Sequence, residues 1–216
     1  MTITLDNIIP FPLKERLQKR SSDIWANTVI WQKGDRVQVV APSGTGKTTL
    51  IHCIWSLRHD YSGRLTYDGR DVKQVDANTM AQVRQEKMSV VFQDLRLFPK
   101  LTGWENIDLK RLMSQHVFCS KQDVLQMAEQ LGVAHVMQQQ AATCSYGEQQ
   151  RIAIIRALVQ PFEWLIMDEP FSHLDKQNTL RACQLIEDAC NKRGAGFIIT
   201  DLDGNAPLPA SQTIHL

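Results

Sequence analysis

Ala41-Pro42-Ser43-Gly44-Thr45-Gly46-Lys47-Thr48 is the stretch that decides the fold. It follows the apolar run Val37, Val39 and Val40, which reads as a buried strand. It precedes Thr49, Leu50, Ile51, Ile54 and Trp55, whose apolar members recur at helical spacing. Strand, glycine-rich turn and helix start is the setting in which G-x-x-x-x-G-K-[ST] cradles phosphate. Successive backbone N–H groups form an anion-binding concavity, and the helix N-terminus adds partial positive charge. Ser43, Gly44, Thr45, Gly46 and Thr49 are therefore expected to surround a nucleotide polyphosphate. Lys47 is expected to reach its β- and γ-phosphates, and the Thr48 hydroxyl to hold Mg²⁺. Ala41 stands where the pattern has its first glycine, a place it can take only with negative φ.

Beyond this stretch, composition narrows the class. A chain of 216 residues suits one domain with a subsidiary lobe, and 43% hydrophobic residues are ample for its core. A net charge of +1 offers no basic field for nucleic acid. The local cluster Lys14, Arg16, Lys19 and Arg20 is interrupted by Glu15 and reads as a solvated face. Five cysteines without C-x-x-C spacing disfavour both a disulfide framework and a metal site, and point to reduced thiols in the cytoplasm. No apolar run approaches the ~18 residues of a membrane span, and no signal-peptide profile opens the chain. Contact with a membrane is expected only through a partner.

Ile3 and Leu5 alternate with polar residues and read as an edge strand interrupted by Pro10 and Pro12. Gly34 marks a turn between two strands, and Asp68-Gly69 a turn after the short strand Arg64 to Tyr67. Ser89 to Phe92, Leu165 to Met167 and Phe197 to Ile199 read as further strands, whereas about 102 to 160 is almost wholly helical. Ser120 with Asp123 resembles a capping box. The expected fold is α/β: a P-loop NTPase core with a mixed sheet flanked by helices, a small antiparallel β element and a helical insertion. The core lobe is expected at about 1–100 and 160–216, with the helical lobe at about 101–159.

Asp168 and Glu169 end a buried strand, where ligands bind in this architecture. Asp168 is expected to orient Mg²⁺, and Glu169 to polarise an attacking water. Gln93, at the end of another strand, brings an amide that can ligate Mg²⁺ and sense the γ-phosphate. With Cys144-Ser145-Tyr146-Gly147-Glu148 running into a helix, the chain resembles the ATP-binding subunit of ABC transporters. The resemblance rests on the Walker A loop at 41–48, Gln93 as the Q-loop, 144–148 as the signature loop, Asp168-Glu169 as Walker B and catalytic glutamate, and Ser172-His173-Leu174-Asp175 as the D-loop. The stretch 92–102 looks most like the lipoprotein-release, macrolide-export and cell-division group.

The resemblance implies a dimer of ATP-binding subunits, homo- or heterodimeric, that sandwiches two ATP molecules. Ser145 and Gly147 of each subunit then cover the γ-phosphate held by the other, and Asp175 lies at the dimer interface. It also implies a transmembrane permease partner on the inner face of the membrane, docked in the groove near Gln93. Glu148 replaces a glutamine, and either caps the helix through Ser145-x-x-Glu148 or contacts nucleotide. The family often stacks an N-terminal aromatic on adenine, for which Phe11 is the residue available. The family's switch histidine is missing after Thr200. Asp201 occupies its place, or the position is deleted. A carboxylate can only accept hydrogen bonds and repels phosphate, so slow hydrolysis is expected, or a nucleotide-sensing scaffold with little turnover. His52, His173 and the five tryptophans read as packing or surface residues.

Overall fold

The computed structural model describes residues 1–17, 21–113 and 117–216, so Lys19 and Arg20 of the basic cluster lie outside the described residues. The chain runs β1 (Ile3–Pro10), α1 (Lys14–Leu17), β2 (Thr28–Trp31), β3 (Arg36–Val40), α2 (Lys47–Ile54), β4 (Tyr61–Tyr67) and β5 (Arg70–Asp71). It continues through α3 (Ala77–Glu86), β6 (Met88–Val91), α4 (Gly103–Arg111), α5 (Lys121–Gln130) and α6 (Tyr146–Leu158). Last come β7 (Trp164–Asp168), α7 (Lys176–Arg193), β8 (Gly196–Asp201) and β9 (Gln212–His215).

The β structure forms two sheets. One is five-stranded, in the order β6-β7-β8-β3-β9, and every pairing in it is parallel. Such a sheet has to be covered on both faces. Side chains alternate accordingly. Leu165, Met167, Phe197 and Ile199 enter a core shared with α5, α6 and α7, whereas Ile166, Ile198, Val37 and Val39 enter one shared with α2 and the second sheet. Four strands make that antiparallel sheet, in the order β2-β1-β4-β5.

The edge-strand expectation for β1 is corrected here. β1 lies between β2 and β4, with Ile3, Leu5 and Ile8 fully buried. Pro10, read as interrupting the strand, sits at its last paired position, opposite Tyr61. A bulge between Asp6 and Ile9 absorbs the irregularity: Asn7 takes a φ of 51°, and a Cβ on the facing Gly63 would sit 2.2 Å from the Asn7 carbonyl. Sequence alternation reported the buried face but not the number of neighbouring strands.

Between β6 and β7 the described residues hold three α-helices joined by loops and short 3-10 turns, with one isolated bridge, Thr102 to Gln140, and no named strand. α4, α5 and α6 each open on a reciprocal capping box, from Thr102 with Glu105, Ser120 with Asp123 and Ser145 with Glu148. α5 ends before Gly132, whose φ of 67° suits glycine. All five cysteines are buried; burial raises the Cys53 and Cys183 thiols to about 12, and those of Cys119 and Cys190 to about 11.

Candidate nucleotide-binding site

The carboxyl ends of β3, β6, β7 and β8 converge on one edge of the parallel sheet, where ligands bind in doubly wound folds. The 41–46 loop leaves β3 there. Ala41 N–H donates to the Asp201 carbonyl at 3.1 Å, the Ala41 side chain is buried, and its φ is not positive, so the alanine fits. Gly44 and Gly46 take φ of 77° and 110°, which glycine tolerates. Gly46 is also in close quarters: a Cβ there would stand 2.6 Å from the Leu13 side chain. Gly46 caps α2 without any side-chain bond to the first turn, leaving its N–H groups available to an anion.

Lys47 is only 5% exposed. Its ammonium donates to the Ala41 and Pro42 carbonyls at 2.7 and 3.2 Å and pairs with Glu169 Oε1 at 3.2 Å. Glu169 Oε2 accepts from the Gln93 amide at 3.3 Å, and Thr48 Oγ1 donates to Gln93 Oε1 at 3.4 Å. Ser43, Gly44, Gly46, Lys47, Thr48, Thr49, Gln93 and Glu169 thus line one groove, together with Leu13. Thr45 lies beside it, its hydroxyl donating to the Pro42 carbonyl at 2.7 Å.

Asp168 is 1% exposed. Its Oδ1 accepts from Thr200 Oγ1 at 2.6 Å, while Oδ2 is buried with no partner among the described residues. An orphaned carboxylate oxygen is costly unless a cation or water meets it. Residues Asp168, Thr48 and Gln93 therefore fit Mg²⁺, which takes few protein ligands and shares the rest with phosphates and water.

Glu169 has a φ of 48°, unusual for a residue with a Cβ. Its N–H donates to Thr200 Oγ1 at 3.2 Å, and its carbonyl accepts from Gln150 Nε2 at 3.3 Å. Neither role was legible in sequence. The available signal for Gln150 was an amide within an otherwise apolar helical stripe; for Thr200 it was a hydroxyl at a strand end.

Other expected residues fall elsewhere. Ser145 and Glu148 form the capping box of α6: Glu148 N–H donates to Ser145 Oγ at 3.3 Å, and Glu148 Oε2 accepts from Ser145 N–H and Oγ–H at 2.8 Å each. The Ser145 hydroxyl and then its N–H hold the Glu148 carboxyl below its usual range. Gly147 approaches the D-loop closely, a Cβ there meeting the His173 carbonyl at 3.1 Å. Asp175 is the N-cap of α7, accepting from Asn178 N–H at 2.8 Å. Phe11 is 58% exposed and lines neither this groove nor the one beside it, which is walled by Leu13, Arg16, Leu17 and Leu216. Asp201 does not line the phosphate groove either. Its carboxylate folds onto the following loop, accepting from Leu202 N–H at 2.8 Å and Ala206 N–H at 3.0 Å. Asp201 lines a neighbouring cavity together with Glu169, Ser172 and Thr200.

Comparison with known proteins bears on the family. The ABC transporter family model matches residues 28–172. The ATP-binding protein LolD of the lipoprotein-releasing system of Shewanella oneidensis is 31% identical over 172 residues, covering 79% of this chain and 75% of LolD. The macrolide export ATP-binding/permease protein MacB of Bdellovibrio bacteriovorus is 29% identical over 86% of this chain, which spans 28% of that longer protein. A solved dimeric bacterial ABC transporter cassette superposes with a TM-score of 0.84 at 24% identity, covering 99% of this chain and 94% of the other, and so supports the fold. Matched over most of its length and bringing the phosphate loop and Glu169 together at one sheet edge, the chain belongs to the ABC transporter family as an ATP-binding cassette.

Proposed function

We propose that this cassette binds and hydrolyses Mg²⁺-ATP and drives a transmembrane permease partner by ATP-dependent closure of a dimer. The observation that carries the reading is the convergence of Lys47, Gln93, Glu169 and the orphaned Asp168 oxygen at one sheet edge. The amides of Ser43 to Thr49 cradle the polyphosphate, and Lys47 exchanges the Glu169 carboxylate for phosphate oxygens. Thr48, Gln93 and Asp168 would hold Mg²⁺, whose chemistry is to neutralise charge on the phosphates. Glu169, released from Lys47, accepts a proton from the attacking water. The base lies in the groove beside the phosphate loop, near Leu13 and Arg16.

In the dimer, Ser145, Gly147 and the Glu148-capped first turn of α6 face the partner subunit's nucleotide, and Asp175 lies at the interface. Relatives that are ATP-binding subunits or ATP-binding/permease proteins support this assembly. No described helix is long and apolar enough to cross a membrane, which is consistent with a peripheral site at the cytoplasmic face through the permease.

The permease docks in a groove lined by Phe92, Arg96, Phe98, Leu109, Lys110, Met113 and Arg156. Phe98, Leu109 and Met113 are 45–56% exposed. The groove is cationic. The Lys110 ammonium makes no hydrogen bond or ion pair among the described residues, and the six others, Gln18 to Arg20 and Ser114 to His116, include no acid. Burial lowers Lys110 to about 8, with Arg156 and Arg84 adding repulsion. Its occupant is accordingly a cytoplasmic permease segment presenting apolar side chains and at least one carboxylate. The deciding experiment is ATP turnover by the cassette co-purified with its permease. Absence of Mg²⁺-ATP affinity in parent material, or affinity indifferent to loss of Lys47, would overturn the proposal.

A further inference from the structure

Helix α6 grips the hydrolytic site of its own subunit at several points. The Tyr146 hydroxyl donates to the Gln93 backbone carbonyl at 3.1 Å. Its ring stands edge-on to the His173 imidazole, with centroids 4.3 Å apart and planes at 70°. One turn further on, Gln150 is 1% exposed and uses both ends of its amide. Nε2 donates to the Glu169 carbonyl at 3.3 Å, and Oε1 accepts from His173 N–H at 3.2 Å. Residues four apart on a helix share a face, so one face of α6 contacts the main chain of Gln93, Glu169 and His173 together. Of these, Glu169 is held in the strained left-handed region, where a residue stays only if its surroundings impose it.

We infer that Tyr146 and Gln150 are positioning residues which tie the signature helix to the main chain bearing Gln93 and Glu169 of the same subunit. Nucleotide engaged at the amino end of α6 by the facing subunit thereby sets the geometry of the hydrolytic site to which α6 is tied. The inference rests on the proposed dimeric ATPase. Tyr146 occupies the first turn of α6, adjacent to both Ser145 and Gly147. A rigid shift of that turn carries the Gln93 carbonyl with it, and the same rigid helix carries Gln150 against Glu169. The two ATP sites of a dimer are then coupled through two side chains with discrete bonds, a coupling that is ordinarily worth ~5–150-fold in affinity.

The test is steady-state ATP turnover against ATP concentration, measured on the cassette assembled with its permease partner. Tyr146→Phe keeps the ring on His173 and removes only the hydroxyl; Gln150→Met keeps volume and removes both amide bonds. Each is expected to lower kcat about tenfold with KM within about twofold, and to bring the Hill coefficient toward unity. A packing defect would instead lower the thermal midpoint with kcat per folded molecule unchanged. Parent-like kcat and Hill coefficient in both variants overturn the inference. Should Gln150→Met fail to fold, Tyr146→Phe decides alone, because Tyr146 is 43% exposed and its hydroxyl supports no core. A parent complex without turnover counts against the hydrolytic reading rather than this one. Positioning is then read by calorimetry on the full chain, as the affinity ratio of a non-hydrolysable ATP analogue to ADP. Tyr146→Phe is expected to reduce that ratio about fivefold, and an unchanged ratio refutes the positioning role.

Discussion

Lys47 Nζ lies 3.2 Å from Glu169 Oε1, joining the phosphate loop to the end of β7 by a nearly buried ion pair. The cation and the carboxylate each satisfy a group that is expensive to leave alone in a half-closed site. The pair also places the charge proposed to bind phosphate within one hydrogen bond of the charge proposed to activate water. Lys47→Ala removes the cation and leaves Glu169 unpaired. Mg²⁺-ATP affinity is expected to fall about 10- to 100-fold, the worth of one or two charge-assisted hydrogen bonds, by isothermal calorimetry. Parent-like affinity would show that nucleotide, if bound, sits elsewhere.

Glu169→Gln keeps the hydrogen-bonding shape and removes the base. Turnover is expected to drop about 10²- to 10⁴-fold while Mg²⁺-ATP still binds. Light scattering after size exclusion should then find an ATP-dependent dimer in the variant. Turnover at the parent rate would assign the base to another group.

Thr200 is fully buried and bridges the two carboxylate residues, donating to Asp168 Oδ1 at 2.6 Å and accepting from Glu169 N–H at 3.2 Å. Thr200→Val is nearly isosteric and strands Asp168 Oδ1, while Glu169 N–H keeps its 3.2 Å bond to the Thr200 carbonyl. A loss of about 1–3 kcal/mol is expected in urea unfolding, with weaker stabilisation by Mg²⁺-ATP. Unchanged midpoints in both titrations would deny Thr200 this role.

Lys110 titrates at about 8 in the folded chain because burial disfavours its charge. The unfolded chain keeps that proton to ~10.4, so between these values the unfolded state binds more protons and stability rises with pH. The buried Cys53, Cys119, Cys183 and Cys190 thiols oppose this, keeping protons that the unfolded chain loses from about pH 8.5. Denaturation midpoints of the parent should therefore fall from about pH 8 to 10, and Lys110→Met should steepen the fall. Lys110→Glu should abolish co-purification with the permease and leave Mg²⁺-ATP affinity intact. Retained co-purification would place the permease off this groove.

Asp201 holds the 202–206 loop through Leu202 N–H and Ala206 N–H. Asp201→Ala is expected to lower stability by about 1 kcal/mol, since the carboxylate is partly exposed, and to change Mg²⁺-ATP affinity by less than about twofold. A large change in affinity would return Asp201 to the phosphate site.

Much of the site was readable because its chemistry is local. The loop from Ser43 to Thr48 and the Asp168-Glu169 pair are contiguous, and their residue types are dictated by backbone donors, a cation and two carboxylates in short order. The box Ser145-x-x-Glu148 was open to two readings because a capping carboxylate and a nucleotide contact need the same side chain; the fold shows it capping. Strand β9, which pairs with β3 at the edge of the parallel sheet, was not anticipated, since Thr213 and Ile214 alone make too short a pattern. The direction of the Asp201 carboxylate was not legible either, since position along a strand end does not say which way a side chain turns.

Residue order alone settled the covalently local features: a strand delivering a glycine-rich turn to a helix start, and the helical stretch between β6 and β7. Hydrophobic period, glycine conformation and capping act over a few neighbouring residues, so they are written in the chain. Only the folded arrangement settled that β1 is flanked on both sides, that one Asp168 oxygen meets no partner among the described residues, and that Tyr146 and Gln150 reach Gln93 and Glu169. Those contacts join residues 19 to 53 positions apart in sequence, and such pairing depends on how helices pack against the sheet rather than on any local preference.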